Sequence, residues 1–234
     1  IDIDNIFVIG KGSNIVFSDS GYSGTILKPN LDFIEYNKAK STLKLGSATF
    51  LPDIARYSNA HSIADLEWLI GIPGSVGGAV RMNAGAYGYE FSQHIQYVNF
   101  FNLEKNKFET QHKDYFNFSY RESENLENCV ITSVELNVEE GDPVKIKERI
   151  SKNLQHRKAT QPAAIYNAGS VFKNPKGYSA GKRRPHAREL PEVPTEQKPR
   201  RVGGWVQRPA PDGEESERES ANGRAGDRGW GHAR

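Results

Sequence analysis

The sequence predicts an α+β fold from two observations: short apolar runs separated by Gly, Asn, Asp and Ser, and two segments whose apolar residues recur at helical spacing. One helix is expected between residues 50 and 61, and a second from Pro143 to about residue 158 with Asp142 as its N-cap. A hairpin turn is expected at residues 104–106. Strands are predicted at residues 6–9, 15–17, 25–27, 33–36, 42–45, 95–103, 107–110 and 130–138.

The composition of the chain changes near residue 182. Residues 1–182 contain 15 Lys and 5 Arg, whereas residues 183–234 contain 1 Lys and 10 Arg and no Ile, Phe or Tyr. The last segment also has 6 Pro and 7 Gly. It contains too few sizeable apolar side chains to offset the entropy of ordering the chain. We therefore expect residues 183–234 to be disordered, as an unrelated or frameshifted tail.

Charge and hydropathy exclude several classes of protein. The formal net charge of +2 leaves no basic footprint for nucleic acid, and no apolar stretch approaches the roughly 20 residues that span a bilayer. The single cysteine, Cys129, cannot form an internal disulfide and is expected to be a buried small residue. The sequence predicts a soluble cytoplasmic protein without a nucleic-acid or membrane partner, and no metal site.

A first glycine turn, Gly10-Lys11-Gly12-Ser13-Asn14, directly follows a predicted strand. Glycines let successive amides turn inward, and Ser13 and Asn14 add side-chain donors, so such a turn can hold a pyrophosphate. It differs from the dinucleotide fingerprint, because Ile15 stands where the third glycine belongs. A plain hairpin turn is the other interpretation of this segment.

A second glycine-rich segment spans residues 71–88 and reads GIPGSVGGAVRMNAGAYG. Its small residues allow the main chain to approach a flat ligand closely and to direct amides at its phosphates. The alternative is a flexible loop, but Ile72, Val76 and Val80 make the segment too apolar for a linker. The segment therefore predicts a backbone cradle for a cofactor that carries phosphate.

Two further motifs contain candidate catalytic groups. Arg121, beside Tyr120 in FSYRES, could bind a carboxylate and stabilise developing negative charge; a solvated surface Arg–Glu pair is the alternative. Ser170, in AGSVFKNP, could be a pocket-held proton donor, and Lys173 and Asn174 could bind phosphate or amide groups. As an isolated residue, Ser170 would be a turn residue.

In this order, the four motifs resemble the UDP-N-acetylenolpyruvoylglucosamine reductases of bacterial peptidoglycan synthesis, over roughly residues 3–182. The resemblance implies a two-lobed FAD-binding fold of the vanillyl-alcohol-oxidase type, in which NADPH reduces FAD and hydride passes to the enolpyruvyl group of a UDP-sugar. It implies that Arg121 stabilises the resulting enolate, that Ser170 donates the proton, and that Tyr120, Lys173 and Asn174 contact the substrate. The implied cofactor contacts are Gly10, Lys11, Gly12, Ser13, Asn14, Gly71, Ile72, Pro73, Gly74, Ser75, Gly77, Gly78, Asn83, Gly85 and Ala86.

The resemblance also implies a domain division. Residues 1–140 would form the FAD-binding domain without its N-terminal part, residues 141–159 a linking helix, and residues 160–182 the start of the substrate domain. Family members also have an assisting glutamate in the remainder of that domain. None is assigned here, so we expect little activity. We also expect a monomer. An FAD-dependent oxidase of the same fold and a non-catalytic flavin- or nucleotide-binding fragment are the alternatives.

Overall fold

The computed structural model describes residues 5–161, 173 and 174. The predicted Ser170 and the tail of residues 183–234 lie outside the described residues. Single turns of 3-10 helix occur at Lys38–Lys40, Glu67–Gly71, Phe91–Gln93 and Lys113–Phe116. The strands are β1 (Ile6–Val8), β2 (Thr25–Leu27), β3 (Ile34–Asn37), β4 (Thr42–Gly46), β5 (Gly85–Ala86), β6 (Tyr89–Glu90), β7 (Ile95–Asn102), β8 (Lys107–His112) and β9 (Cys129–Asn137). The helices are α1 (Leu51–Ala60), α2 (Val76–Arg81) and α3 (Pro143–Thr160).

The main sheet is antiparallel and has the strand order β3-β4-β9-β7-β8. Its strands alternate buried and exposed residues, because one face packs against the core and the other faces water. Leu45 faces Val134 across β4 and β9, and Val134 faces Val98 across β9 and β7. All three side chains are fully buried. The predicted hairpin at residues 104–106 is confirmed, since it joins the antiparallel pair β7 and β8.

β1 and β2 form a separate parallel pair, with Ile6 opposite Thr25. The segment between them therefore crosses from one end of the pair to the other and cannot be a hairpin turn. The strand predicted at residues 15–17 is wrong, because this crossover makes no ladder in the described part of the chain. Val16 and Phe17 are exposed, and the Phe17 ring lies 5.7 Å from that of Phe7 and 6.5 Å from that of Tyr22.

The helices follow their local signals. α1 has Pro52 in its first turn and buries Ile54 and Ala55. α3 begins as predicted, since the Asp142 carboxylate accepts a 2.8 Å hydrogen bond from the Val144 amide. None of the helices in the described ranges is long and apolar enough to cross a membrane. The six-residue α2 was not predicted, because glycines conceal its helical spacing.

α3 packs on the rest of the fold through apolar and polar groups, and Ile150 lies partly buried against the core. Ile146 is its one fully buried side chain. The Arg149 guanidinium lies 3.1 Å from the Asp65 carboxylate and 3.4 Å from that of Glu67, whose pKa is raised by burial. The Asn153 amide donates to the Glu67 carbonyl at 3.4 Å. Both kinds of contact therefore position α3 on the rest of the fold.

Cys129 begins β9 and is only partly buried, which corrects the expectation of a buried residue. Its side chain packs at the margin of the core. Burial nevertheless raises the pKa of the thiol to about 11, so it is protonated near neutral pH and is a poor nucleophile.

His94 should make the stability of the fold depend on pH. Burial lowers its pKa, Lys113 lowers it further, and Asp65 opposes both. Its Nε2 atom is buried without a hydrogen-bond partner among the described residues. Because the folded pKa lies below the ordinary value, this contribution to stability is complete above about pH 6.5 and is lost as pH falls through the folded pKa.

We expect His94→Phe to remove this pH dependence, because Phe keeps a ring beside Trp68 and Tyr89 but cannot be protonated. Urea unfolding from about pH 7.5 to about pH 5 measures the free energy of unfolding of both proteins. The variant should gain stability relative to the unsubstituted chain as pH falls. A stability difference that stays constant across this pH range would contradict the assignment.

Candidate functional site

Two segments about 60 residues apart in the chain come together at the candidate site. The Ser13 hydroxyl donates a 3.0 Å hydrogen bond to the Pro73 carbonyl. A Cβ atom added to Gly10 would lie 2.3 Å from the Ser75 Oγ, so only glycine fits at that position without a shift. Residues 10–14 and 71–88 thus form one surface, called the glycine cradle below.

Ser75 presents a polar atom without a partner inside the cradle. The residue is 2% exposed, and its hydroxyl has no hydrogen-bond partner among the residues that the structure describes. A buried hydroxyl left in this state costs about 1–3 kcal/mol. A ligand oxygen beside Ser75 would give it a partner, so the cradle fits a group that carries phosphate or hydroxyl oxygens.

Gly78 lies inside α2, where the fold does not require glycine. Its missing Cβ would meet nothing closer than the Ser75 Oγ at 3.6 Å, an ordinary contact distance. Glycine within a helix costs about 0.5–1 kcal/mol relative to alanine. A glycine that the packing of the chain does not explain is the feature expected where a ligand approaches the main chain closely.

Other predicted cofactor contacts have structural reasons for their residue type. The missing Cβ of Gly71 lies 2.1 Å from Arg157 Cδ, which lets α3 approach. That of Gly77 lies 3.3 Å from Ser47. Gly74 has φ +146°, a backbone conformation that other residues rarely adopt. Their predicted contacts with a cofactor stay predictions.

Two amides at the start of α2, those of Val76 and Gly77, are not directed at a ligand, contrary to the expectation for this segment. The Gly77 amide donates to the Ser47 carbonyl at 2.9 Å, and the Val76 amide donates to the Thr49 carbonyl at 3.0 Å. These bonds attach α2 to the residues that follow β4. Side chains and other parts of the cradle must therefore supply the polar contacts to a phosphate.

Asn83 is fully buried and its side chain is satisfied within the protein. It donates to the Glu90 carboxylate at 3.0 Å and to the Ser119 carbonyl at 2.8 Å, and it accepts from the Ser92 amide at 3.1 Å. Nearby, Gly85 pairs with Glu90 in the β5–β6 hairpin. Ala86 lies beside it in β5, half-buried.

Arg121 is attached to the cradle through backbone carbonyls. Its guanidinium donates to the Asn83 carbonyl at 3.2 Å and to the Gly85 carbonyl. It also lies over the Tyr120 ring, 5.1 Å from the centroid. The surface Arg–Glu pair considered from sequence is wrong, because the Glu122 carboxylate lies 3.3 Å from the Lys173 ammonium instead.

The ion pair between Glu122 and Lys173 connects the motif FSYRES with the motif AGSVFKNP, called the third and fourth motifs below. Lys173 and Asn174 are the described residues of the fourth motif, and the Lys173 contact brings that motif to the turn that carries Arg121. The predicted site residue Lys173 therefore lies close to the turn that carries the predicted site residue Arg121. The proton donor predicted at Ser170 lies outside the described residues.

Several groups that hold the site together were missed from sequence. Tyr87, with φ +56°, donates from its hydroxyl to the Asn153 carbonyl at 3.2 Å, which connects the cradle to α3. Glu90 and Ser119 orient Asn83. A cleft of about 310 Å³ lies beside these residues. It is lined by Glu67, Trp68, Tyr87, Tyr89, Arg149, Lys152 and Asn153.

Comparison with known proteins shows what this chain is similar to. Residues 4–105 match the model of an FAD binding domain. A UDP-N-acetylenolpyruvoylglucosamine reductase of Desulforamulus reducens is 38% identical over 76% of this chain and 58% of the relative. The chain is a relative of these reductases. The reductase of Prochlorococcus marinus is 36% identical over 75% of this chain and 60% of its own length.

A solved structure agrees with the sequence relatives. The UDP-N-acetylenolpyruvylglucosamine reductase (MurB) of Thermus caldophilus superimposes with a TM-score of 0.65 at 32% identity, over 76% of this chain and 64% of the solved chain. The predicted α+β FAD-binding fold, the resemblance and FAD as the cofactor are thereby confirmed. The chain spans about 58–60% of the length of the curated relatives described above.

Gly10→Ala should destabilise the chain by about 1–3 kcal/mol, because its methyl group would overlap the Ser75 Oγ. The double variant Gly10→Ala/Ser75→Ala should recover most of the loss, since the next atom is 3.6 Å away. Urea unfolding without cofactor measures both, with Ser75→Ala alone as control. A double variant as unstable as Gly10→Ala would show that the two residues do not touch.

Proposed function

We propose that this chain binds FAD in the glycine cradle as part of a reductase that converts UDP-N-acetylglucosamine enolpyruvate to UDP-N-acetylmuramate with NADPH. The observation that carries the proposal is the attachment of Arg121 to the Asn83 and Gly85 carbonyls. Because these two bonds hold the guanidinium in place, they support a fixed positive charge beside the cradle. When bound, FAD supplies hydride transfer, which no side chain can perform.

The residues of the chain supply binding and electrostatics. The guanidinium of Arg121 has five N–H donors, and two carbonyls leave others for a carboxylate or an enolate oxygen. Tyr120 flanks it, and Lys173 and Asn174 reach the UDP-sugar from the fourth motif. Ser170 donates the proton that completes the lactyl ether. These roles for the substrate contacts and Ser170 rest on the family relationship.

The same proposal includes impaired catalysis by the 234-residue chain. It is motivated by the resemblance, in which no residue of this chain is assigned to the assisting glutamate of the reductases. An assisting carboxylic acid contributes about 10²- to 10⁴-fold to such a reaction. Cofactor binding and turnover are therefore separate properties of this chain and need separate experiments.

Gly78→Ala tests the cofactor site. The apo chain should be as stable as before, or more stable by about 0.5–1 kcal/mol, because alanine is the better helix former. The FAD dissociation constant should rise at least about tenfold, because the methyl group takes up space that the cofactor needs. Flavin fluorescence titration gives the affinity, and urea unfolding gives the stability.

Gly21→Ala is the matched control for this experiment. Gly21 has open space around its missing Cβ but a φ of +78°. This variant should lose stability through backbone strain and keep its FAD affinity. Equal FAD affinities for Gly78→Ala and the unsubstituted chain would place the cofactor elsewhere.

Turnover is tested with the FAD-loaded 234-residue chain. Oxidation of NADPH that depends on the enolpyruvyl UDP-sugar should be about 10²- to 10⁴-fold slower than that of a full-length relative assayed in parallel. A rate equal to that of the relative would refute the impairment. Oxygen consumption with small alcohols, in place of NADPH oxidation, would favour an oxidase of the same fold.

A further inference from the structure

Lys11 stands between Gly10 and Gly12 at the edge of the glycine cradle, with an exposed side chain. Its ammonium lies 5.6 Å from the centroid of the Phe50 ring. Phe50 pairs with Ser75 through an isolated antiparallel bridge, and Ser75 lies against Gly10. The Lys11 side chain therefore lies over the ring of a residue whose main chain pairs with that of Ser75.

The Lys11 ammonium forms no ion pair with a carboxylate in the described ranges 5–161 and 173–174. Other lysines, such as Lys38 and Lys105, lie beside glutamates. Phe50 is half-buried and Lys11 is exposed. An exposed cation over an aromatic face gains only about 0.5–1 kcal/mol, so the charge of Lys11 remains available to an anionic ligand.

The neighbouring donor in the turn is already used. Ser13 was expected to donate to a phosphate, but its hydroxyl proton is directed at the Pro73 carbonyl. The amides of Val76 and Gly77 are also bonded within the protein. An ammonium would add three N–H groups and a full positive charge to the donors that remain at the cradle.

We propose that Lys11 binds the diphosphate of FAD and that this ion pair contributes to the affinity of this chain for the cofactor. The inference rests on the proposed binding of FAD in the glycine cradle. The Phe50 ring keeps the ammonium near the cradle before the cofactor arrives, and the diphosphate replaces water around it. The contact is partly exposed to solvent, so salt weakens it.

The test compares Lys11→Gln, Lys11→Arg and the unsubstituted chain, with Lys145→Gln as matched control. Lys145 is an exposed lysine on α3, and its replacement removes the same charge away from the cradle. Each protein is stripped of flavin and titrated with FAD at low and at high sodium chloride, and urea unfolding checks that its fold is intact.

At low salt, Lys11→Gln should bind FAD about five- to tenfold more weakly than the Lys145→Gln control. Lys11→Arg should retain most of the affinity because it keeps the charge. High salt should reduce the difference between Lys11→Gln and the control, since ions screen the contact. These three results together would support the ion pair.

Equal FAD affinities for Lys11→Gln and Lys145→Gln, or tighter binding by Lys11→Gln, would overturn the inference and leave the cofactor site intact. A loss of affinity that is the same at both salt concentrations would also overturn it, because an exposed ion pair must respond to screening. Failure of the unsubstituted chain to bind FAD would overturn the proposed function and this inference together.

Discussion

The contact between Gly10 and Ser75 is the constraint on which the glycine cradle depends. Gly10 lies at the carboxyl end of the parallel pair β1–β2, whereas Ser75 lies at the start of α2, which packs against the main sheet. Because Gly10 has no side chain, its main chain lies against the Ser75 side chain, at a distance that leaves no room for a Cβ atom. The Ser13 bond to the Pro73 carbonyl adds a directional contact to this steric one.

Arg121 provides the second connection, and its acceptors explain why it is held firmly. A guanidinium bound to the carbonyls of two residues two positions apart has little freedom to rotate. Asn83 supports the arrangement from the other side, because its amide bonds to the Ser119 carbonyl at the base of the Arg121 turn. The positive charge is therefore oriented before any ligand binds, and preorganisation of this kind makes electrostatic stabilisation effective.

Regular elements could be predicted from sequence where one period dominated the pattern. Alternation of apolar and polar residues located β9 to within one residue, and the expected hairpin at residues 104–106 located the end of β7 to within one residue. Asp142 with Pro143 located the start of α3. The same reasoning failed at residues 15–17, because an apolar run in a crossover has the composition of a strand but no partner to pair with. Pairing is a property of distant segments, so neither the parallel direction of β1 and β2 nor the sheet order could be derived locally.

The candidate site was predicted by residue type more successfully than by role. Arg121 was identified, yet its partners are main-chain carbonyls, and these have no signature in the side-chain sequence. Asn83 was expected to face a cofactor, but its side-chain bonds are within the protein. Ser13 was expected to donate outward and donates inward. In each case tertiary contacts decided the direction of a polar group.

The glycines also show that residue type can be predicted from sequence while the role of a residue depends on tertiary contacts. Gly71 makes room for Arg157, Gly85 for the Tyr89 carbonyl, and Gly77 for Ser47. Gly78 has no such neighbour, although alanine would be the more stable residue in a helix. A glycine-rich sequence is thus a sum of separate constraints, and those that the folded chain satisfies by itself carry no information about a ligand. Evidence for a cofactor rests on the glycine that the protein alone does not explain.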